Sequence, residues 1–266
     1  MEDRSTAAGP ERAKAGAAGK TATLAAGLFV CLGWALILGW MVPTPARADP
    51  YGDARAAQVR GDYATAARIY RSLADQGNVA ALTQLGILYR VGRGVPRDYD
   101  EAVTLLHRAA AMGSPTAQFQ MGDMLLRGLG VQQDLLDAAR WYTRAAEQGH
   151  AQAQYCLGVL YKLGGGVRKN GARAAKWFSR SAAQGLPEAQ FELGQLYSAG
   201  QGVGRDYVEA HKWLWLARSR ASISRTRTAA AEALVQLEGR MSAQQIATAR
   251  SQAKAWRAAG NVGGGA

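Results

Sequence analysis

Residues 151–186 read AQAQYCLGVLYKLGGGVRKNGARAAKWFSRSAAQGL, and the same 36-residue pattern occurs four times in phase. The four blocks begin at Val79, Pro115, Ala151 and Pro187. In each block an alanine, a leucine or methionine and a glycine precede two further glycines and a valine. Self-similarity at this period is typical of a solenoid, in which each unit buries its apolar face only against its neighbours. Such arrays present extended binding surfaces, so the pattern favours binding over catalysis.

Each block predicts two helices joined by a glycine turn. In the second block Ser114 is a good N-cap and Pro115 suits the first helical position. Apolar residues then recur at helical spacing until Gly128, which ends the helix. Gly122 lies inside this helix at a cost of about 1 kcal/mol, so we expect the partner helix to approach closely there. The second helix begins after Asp134, whose carboxylate can accept the free N–H groups of its first turn.

One position of the second helices carries Trp141, Trp177 and Trp213 in three successive blocks. Such a row could stack on sugars or other ligands. Because the position lies on the apolar stripe, we interpret it as core packing that fills the gaps between successive units.

The string A-x-x-x-L-G-x-x-Y, followed by G-x-G-V, A-x-x-W and A-A-x-Q-G, resembles the Sel-one-like repeat (SLR) family, whose α/α solenoids are related to tetratricopeptide repeats. Asn170 stands where the family usually has aspartate. The third block carries the motif at Ala153, Leu157, Gly158, Tyr161, Gly164, Gly166, Val167, Ala174, Trp177, Ala182, Gln184 and Gly185. The resemblance implies an all-α fold, a right-handed α/α superhelical solenoid of stacked helical hairpins. It also implies roles in assembling protein complexes, in signalling and at membranes.

The solenoid is expected over residues 49–222. Its expected parts are a half-repeat at 51–78 and full repeats at 79–114, 115–150, 151–186 and 187–222. Residues 223–258 predict two helices that cap the last open apolar surface, because a solenoid needs a polar outer end. Residues 259–266 predict a disordered glycine tail.

The first 48 residues lie outside the repeats. Residues 1–20 are polar and basic and predict a disordered n-region on the cytoplasmic side. Residues 21–48 predict a hydrophobic leader, a signal peptide or signal anchor, whose apolar helical run covers residues 21–42. This run is long enough to span a bilayer as an anchor, whereas Ala46-Arg47-Ala48 reads as a signal-peptide cleavage site. A buried soluble helix is the less favoured alternative. Either membrane interpretation predicts export, with a solenoid that is periplasmic or anchored to the inner membrane on its outer side.

The chain is basic, with 32 Lys and Arg against 20 Asp and Glu. The third repeat carries six basic residues and no acid, and Arg173, Lys176 and Arg180 share one face of its second helix. This face is either an ordinary solvated surface or a site for an anionic partner such as an acidic polysaccharide, lipid headgroups or an acidic protein. The anionic-partner candidates are Arg168, Lys169, Arg173, Lys176 and Arg180. Nucleic acid is not expected, because the chain has no nucleic-acid motif.

Phe119, Tyr155 and Phe191 share one position on the first helices. First helices line the concave surface in related solenoids, so this row could hold an extended peptide, although packing between neighbouring first helices is the favoured account. Specificity is better assigned to residues that vary between repeats at expected non-core positions. These candidates are Asp123, Lys162 and Gln195.

No catalytic, metal or cofactor site is expected. Three histidines lack metal-ligand spacing, and the glycine turn leads into no phosphate-binding motif. Cys31 lies in the leader, so Cys156 has no internal disulfide partner. We expect it to be a partly exposed, unremarkable thiol, with an intermolecular bridge as the alternative.

These observations predict a non-enzymatic protein–protein interaction scaffold or adaptor of the cell envelope. The main alternative is a binder of anionic envelope polymer or lipid headgroups through the basic third repeat. A cell-wall-active hydrolase is a further alternative, since a catalytic constellation formed only in space leaves no trace in sequence.

Overall fold

The computed structural model describes residues 49–222 and 224–259. The predicted leader at residues 21–48, the segment before it and the tail from residue 260 lie outside these residues. The described part of the chain contains twelve α-helices and no strand. They are α1 (Pro50–Val59), α2 (Tyr63–Asp75), α3 (Val79–Val91), α4 (Tyr99–Ala111), α5 (Pro115–Arg127), α6 (Leu135–Glu147), α7 (Ala151–Leu163), α8 (Gly171–Ala183), α9 (Pro187–Ala199), α10 (Tyr207–Arg220), α11 (Ser224–Glu238) and α12 (Ala243–Ala258).

Consecutive helices from α1 to α10 pack against each other as a row of hairpins, which confirms the predicted stack of helical repeats. The half-repeat holds α1 and α2, and the four full repeats hold α3 to α10. The C-terminal pair departs from this pattern, because α11 and α12 both pack on α10. Neighbouring first helices also touch each other directly, α3 with α5 and α9 with α11. We call the side formed by the first helices the first-helix face, and the opposite side the second-helix face.

Local sequence explains where each helix begins and ends. Asp98 and Asp134 cap second helices by accepting two backbone N–H groups each. Asn170, in place of the usual aspartate, accepts the N–H of Arg173 at 2.9 Å. Gly164 ends α7 in the left-handed conformation, as predicted for this turn.

The glycine inside each first helix marks a close approach, as predicted. A Cβ atom at Gly122 would lie 2.7 Å from the ring of Tyr142, and one at Gly158 would lie 2.7 Å from the ring of Phe178. The second glycine of the turn has a related role between repeats. A Cβ at Gly166 would collide with the backbone carbonyl of Leu135 at the start of the preceding second helix. These glycines therefore set how closely helices pack within and between repeats.

The core runs through all the repeats. Its largest second-helix side chains occupy one position and are fully buried: Tyr70, Leu106, Tyr142, Phe178 and Leu214. The three tryptophans lie one residue before this position in their helices. Trp213 is buried, whereas Trp141 and Trp177 are only half-buried against the clusters of the preceding units. The packing interpretation is thus confirmed for Trp213, and the other two indoles cover the gap between units from outside.

The described residues form one compact unit from Pro50 onward. Every buried apolar residue of the described chain lies between Ala54 and Ala253. A chain that begins at Asp49 therefore carries every buried apolar residue of this unit, and we expect it to fold by itself. Among the described helices, none has the length and apolar content needed to cross a bilayer.

Candidate partner-binding surfaces

The aromatic row on the first helices packs mainly against its own repeat. Phe119 stacks on the ring of His150 at 4.8 Å between centroids. Tyr155 lies 5.9 Å from the ring of Phe178. Burial raises the pKa of Tyr155 to about 12, so its hydroxyl stays protonated at neutral pH. These ring contacts lie within one repeat, so packing between neighbouring first helices stays a prediction, and so does a role in holding a peptide.

Asp123 does not occupy the non-core position that its variability suggested. Its residue is 9% exposed, and its carboxylate pairs with two arginines. Arg90 of the preceding repeat donates at 3.1 Å, and Arg127 donates at 2.8 Å from the next turn of the same helix. Since both carboxylate oxygens are engaged, Asp123 joins α3 to α5.

Lys162 is also engaged between repeats. Its Nζ donates to Glu192 of α9 at 2.6 Å, and the Glu192 side chain is only 18% exposed. Lys162 therefore has an ion-pair partner, unlike the basic residues on the second-helix face of the third repeat that are described below. Its proposed contribution to specificity stays a prediction, now with an internal partner that competes for it.

The junction between α5 and α7 is apolar instead. Leu126 and Cys156 pack against the cluster that contains Tyr142 and Leu157. Burial raises the pKa of Cys156 to about 11, so the sulfur remains a thiol at neutral pH and is a weak nucleophile. The half-buried position agrees with the expected partial exposure.

The corresponding groove between α9 and α11 is open. It forms a cleft of about 240 Å³ on the first-helix face, and it includes the predicted residues Phe191 and Gln195. Its other lining residues are Ser198, Leu214, Ala229, Glu232, Ala233, Gln236, Leu237 and Arg240. Ser198 takes the place of Arg90, Leu126 and Lys162 in the other repeats. Because Ser198 is short and α11 presents Ala229 and Ala233, no long side chain closes this junction.

The second-helix face of the third repeat carries the predicted cations. Arg173 stacks over the ring of Tyr161 and donates to its hydroxyl, and Arg180 stacks over Trp177 at 4.8 Å. Lys176 lies between them and is exposed. Within the described chain, none of these three residues, nor Arg168 or Lys169, has a carboxylate within salt-bridge distance.

A substitution in the repeat explains why Lys176 lacks the ion pair that Arg140 and Lys212 form at the same position. The residue three places after the cap is Asp137 in the second repeat and Glu209 in the fourth. Asp137 pairs with Arg140 at 2.7 Å, and Glu209 pairs with Lys212. In the third repeat the same position is Arg173. The third repeat has therefore lost an internal acid and gained a cation at one position.

A buried row of glutamines between repeats was missed from the sequence. Gln118 and Gln154 each donate to a backbone carbonyl eight residues earlier. Each also accepts from a glutamine of its own repeat, Gln148 at 2.7 Å and Gln184 at 2.9 Å. The sequence contained a signal of this contact between two glutamines. In the first repeat both equivalent positions are apolar, Leu82 and Met112, so the two positions change together.

A further pair of titratable side chains joins α10 to α11. His211 is buried and its Nε2 lies 2.7 Å from Glu238, which also accepts from Arg250. These hydrogen bonds lower the pKa of Glu238. Within the described residues, no three His, Cys, Asp or Glu side chains are grouped so that they could hold a metal ion.

Comparisons with known proteins agree with this architecture. The Sel1 repeat model matches residues 51–78, 79–114, 115–150, 151–186 and 187–219. A Sel1 repeat protein from Oxalobacter formigenes is 35% identical with a TM-score of 0.60, over 65% of this chain and 49% of that one. The match thus spans about half of the Oxalobacter protein.

Two further solved structures are similar at lower identity. A protective antigen with an SLR fold from uropathogenic Escherichia coli is 24% identical with a TM-score of 0.41, over 78% of this chain and 60% of that one. An immunity protein from Pseudomonas aeruginosa is 21% identical with a TM-score of 0.46, over 71% of this chain and 80% of that one. A search of curated proteins found no match.

Proposed function

We propose, on the premise that this chain belongs to the Sel1 repeat family, that it is a non-enzymatic scaffold or adaptor for protein partners in the cell envelope. Sel1 repeat proteins are interaction scaffolds, and the stacked helices described above provide such a surface. The envelope location is supported by the leader and the Ala46-Arg47-Ala48 pattern of the sequence.

The open cleft between α9 and α11 is the observation that carries this proposal. Elsewhere on the first-helix face, the candidate specificity residues already form ion pairs within the protein. Asp123 pairs with two arginines and Lys162 pairs with Glu192. At the cleft, Gln195 and Gln236 are exposed at the rim of a mainly polar lining, and Leu214 and Leu237 lie at its base.

This arrangement suits an extended polypeptide. Leu214 and Leu237 at the base of the cleft can contact one side chain of the partner. The amides of Gln195 and Gln236 can each donate and accept, which matches the N–H and C=O groups along an extended backbone. Binding through such interactions requires no reactive group, and the protonated thiol of Cys156 agrees with a non-catalytic role.

The test is affinity capture with the full-length protein and a quantitative readout of envelope proteins. The variant Gln195→Arg with Gln236→Arg fills the cleft and adds two charges. The matched control, Gln152→Arg with Gln244→Arg, makes the same changes at exposed positions of α7 and α12. We expect specific partners to be lost by the cleft variant and kept by the control. Identical capture by both variants contradicts the proposal.

A second candidate function is binding of an anionic envelope polymer or lipid headgroups by the third repeat. It is favoured by Arg173, which replaces the acid of the other repeats, and by five cations without a carboxylate partner in the described chain. Stacking on aromatic rings holds two of the guanidiniums in place and leaves their N–H edges available for oxyanions.

A cell-wall-active hydrolase is the remaining alternative. Turnover of a cell-wall substrate by the pure protein would establish it.

A further inference from the structure

Large apolar side chains that remain exposed are concentrated at one edge of the stack. The described part of the chain leaves seven of them exposed, and five lie at the turn from a first to a second helix. These five are Val59, Val91, Leu135, Leu136 and Leu163. Exposed apolar groups that cluster in this way mark interaction sites more often than singly scattered ones do.

Three of the five surround the turn of the third repeat. Leu163 is 71% exposed and directly precedes this turn. Leu135 and Leu136, 38% and 49% exposed, begin α6. Gly166 brings the turn and α6 together, because its backbone lies so close to the peptide group between Leu135 and Leu136 that no side chain fits there.

The same turn carries unneutralised cations. Arg168 and Lys169 lie on it, and Arg173 follows in the first turn of α8; all three are exposed. The acids nearest in sequence to the leucines are Asp134 and Asp137. Asp134 caps α6 by accepting two backbone N–H groups, and Asp137 pairs with Arg140. The cations therefore outnumber the acids that lack a charged partner at this edge.

We propose that this turn patch docks on an anionic lipid bilayer. The turn patch consists of Leu135, Leu136, Leu163, Arg168, Lys169 and Arg173. Its leucines enter the boundary between headgroups and acyl chains, while its cations bind lipid phosphates. The proposal deepens the second candidate function and rests on it, because it chooses lipid as the anionic partner.

The three exposed leucines favour lipid over a soluble acidic partner. An acidic polysaccharide or an acidic peptide is attracted by the cations and makes little use of three exposed leucines. A bilayer with anionic headgroups uses both features at once, since it offers phosphates at its surface and hydrocarbon below. The docked edge leaves the cleft between α9 and α11 as a separate site.

The test is co-sedimentation of residues 49–266 with vesicles, which removes the leader from the measurement. One set contains equimolar phosphatidylglycerol and phosphatidylcholine, and the other contains phosphatidylcholine alone. The charge variant is Arg168→Ala with Lys169→Ala, and the apolar variant is Leu136→Gln with Leu163→Gln. Matched controls are Arg108→Ala with Arg225→Ala and Met112→Gln with Val235→Gln, all at exposed positions away from the patch.

Binding is expected on the anionic vesicles and should weaken at high salt. The charge variant should bind about 25-fold more weakly, because each cation near the surface contributes about fivefold. The apolar variant should lose roughly tenfold, since two partly exposed leucines no longer enter the bilayer. Both controls should bind like the unaltered protein. Circular dichroism melting verifies that each variant is folded, and Leu163→Gln alone provides a milder second apolar variant.

Three outcomes would overturn the proposal. One is an absence of binding to anionic vesicles. Another is an equal loss in the Arg108 and Arg225 control, which would indicate attraction by total charge. The third is unchanged binding by the leucine variants together with competition by soluble polyglutamate, which would identify an acidic polymer as the ligand. None of these outcomes affects the capture test at the cleft.

Discussion

Phe178 and Trp177 are adjacent in sequence but contribute unequally to the core. Phe178 is fully buried and fills the gap left by Gly158 on the partner helix. Trp177 is half-buried, with Arg180 over its outer ring face. A step of one residue turns a helix by about 100°. Phe178 therefore faces the partner helix, whereas Trp177 faces the edge of the gap between successive repeats.

We expect Phe178→Ala to lower the free energy of unfolding by about 3–5 kcal/mol, because it leaves a cavity in a packed interior. Trp177→Ala should cost less, although the indole is larger, since part of it is already in contact with water. Urea unfolding of the two variants measures the difference. A larger loss for Trp177→Ala would show that the indole, and not the phenyl ring, carries the packing.

At the scale of elements, helix α7 has an unusual cap. His150 occupies the position of Asn78 and Ser114, and its Nδ1 accepts the N–H of Ala153 at 3.2 Å. A histidine can accept at Nδ1 only when that nitrogen is unprotonated. Burial lowers the pKa of His150, which agrees with a neutral ring in the folded protein.

This cap predicts a loss of stability in mild acid. The unfolded chain binds a proton at His150 with a pKa of about 6.5, and the folded chain binds it only at lower pH. Below about pH 6.5 the unfolded state therefore holds more protons, so the free energy of unfolding falls as pH falls towards the folded pKa. His150→Asn keeps a capping acceptor and removes the titration.

The measurement is urea unfolding of both proteins between about pH 7.5 and about pH 5. The unaltered protein should lose more stability over this range than His150→Asn. His107 and His211 are present in both proteins, so the difference reports on His150. Parallel pH profiles would mean that the cap does not titrate.

The elements also show why the candidate site was only partly predictable. Asp123 and Lys162 vary between repeats, and this suggested exposed specificity residues. Their partners Arg90 and Glu192 lie 33 and 30 residues away in the chain, on neighbouring first helices. Sequence spacing within one helix contains no information about such pairs. The glutamine row was missed for the same reason, although its paired change to Leu82 and Met112 was visible.

At the scale of the whole molecule, the C-terminal helices close the stack. Both α11 and α12 pack on α10, where Leu214 and Leu216 are buried and the rings of Trp213 and Trp256 meet with centroids 5.9 Å apart. His211 takes the place of Ala175 and Ala139 in earlier repeats and pairs with Glu238 of α11. The last full repeat is thus altered where it meets the closing helices.

Removal of residues 223–266 should therefore expose the apolar surface of α10. We expect the shortened protein to self-associate and to melt at lower temperature, because a solenoid without its end cap presents an open core. Size-exclusion chromatography with light scattering and thermal melting report both effects. A chain ending at Ala259 is the control and should behave like the unaltered protein. A monomeric, equally stable shortened chain would mean that α11 and α12 are not needed as a cap.

The sequence by itself determined the period, the helices, their caps and turns, and membership of a helical-repeat class. These features depend on interactions within a few residues, and a 36-residue period repeats each of them. Only the tertiary structure decided which side chains remain available to a partner. That depends on residues of the adjacent repeat about 30 positions away, which fill the junctions of α3 with α5, α5 with α7 and α7 with α9, whereas the junction of α9 with α11 is open.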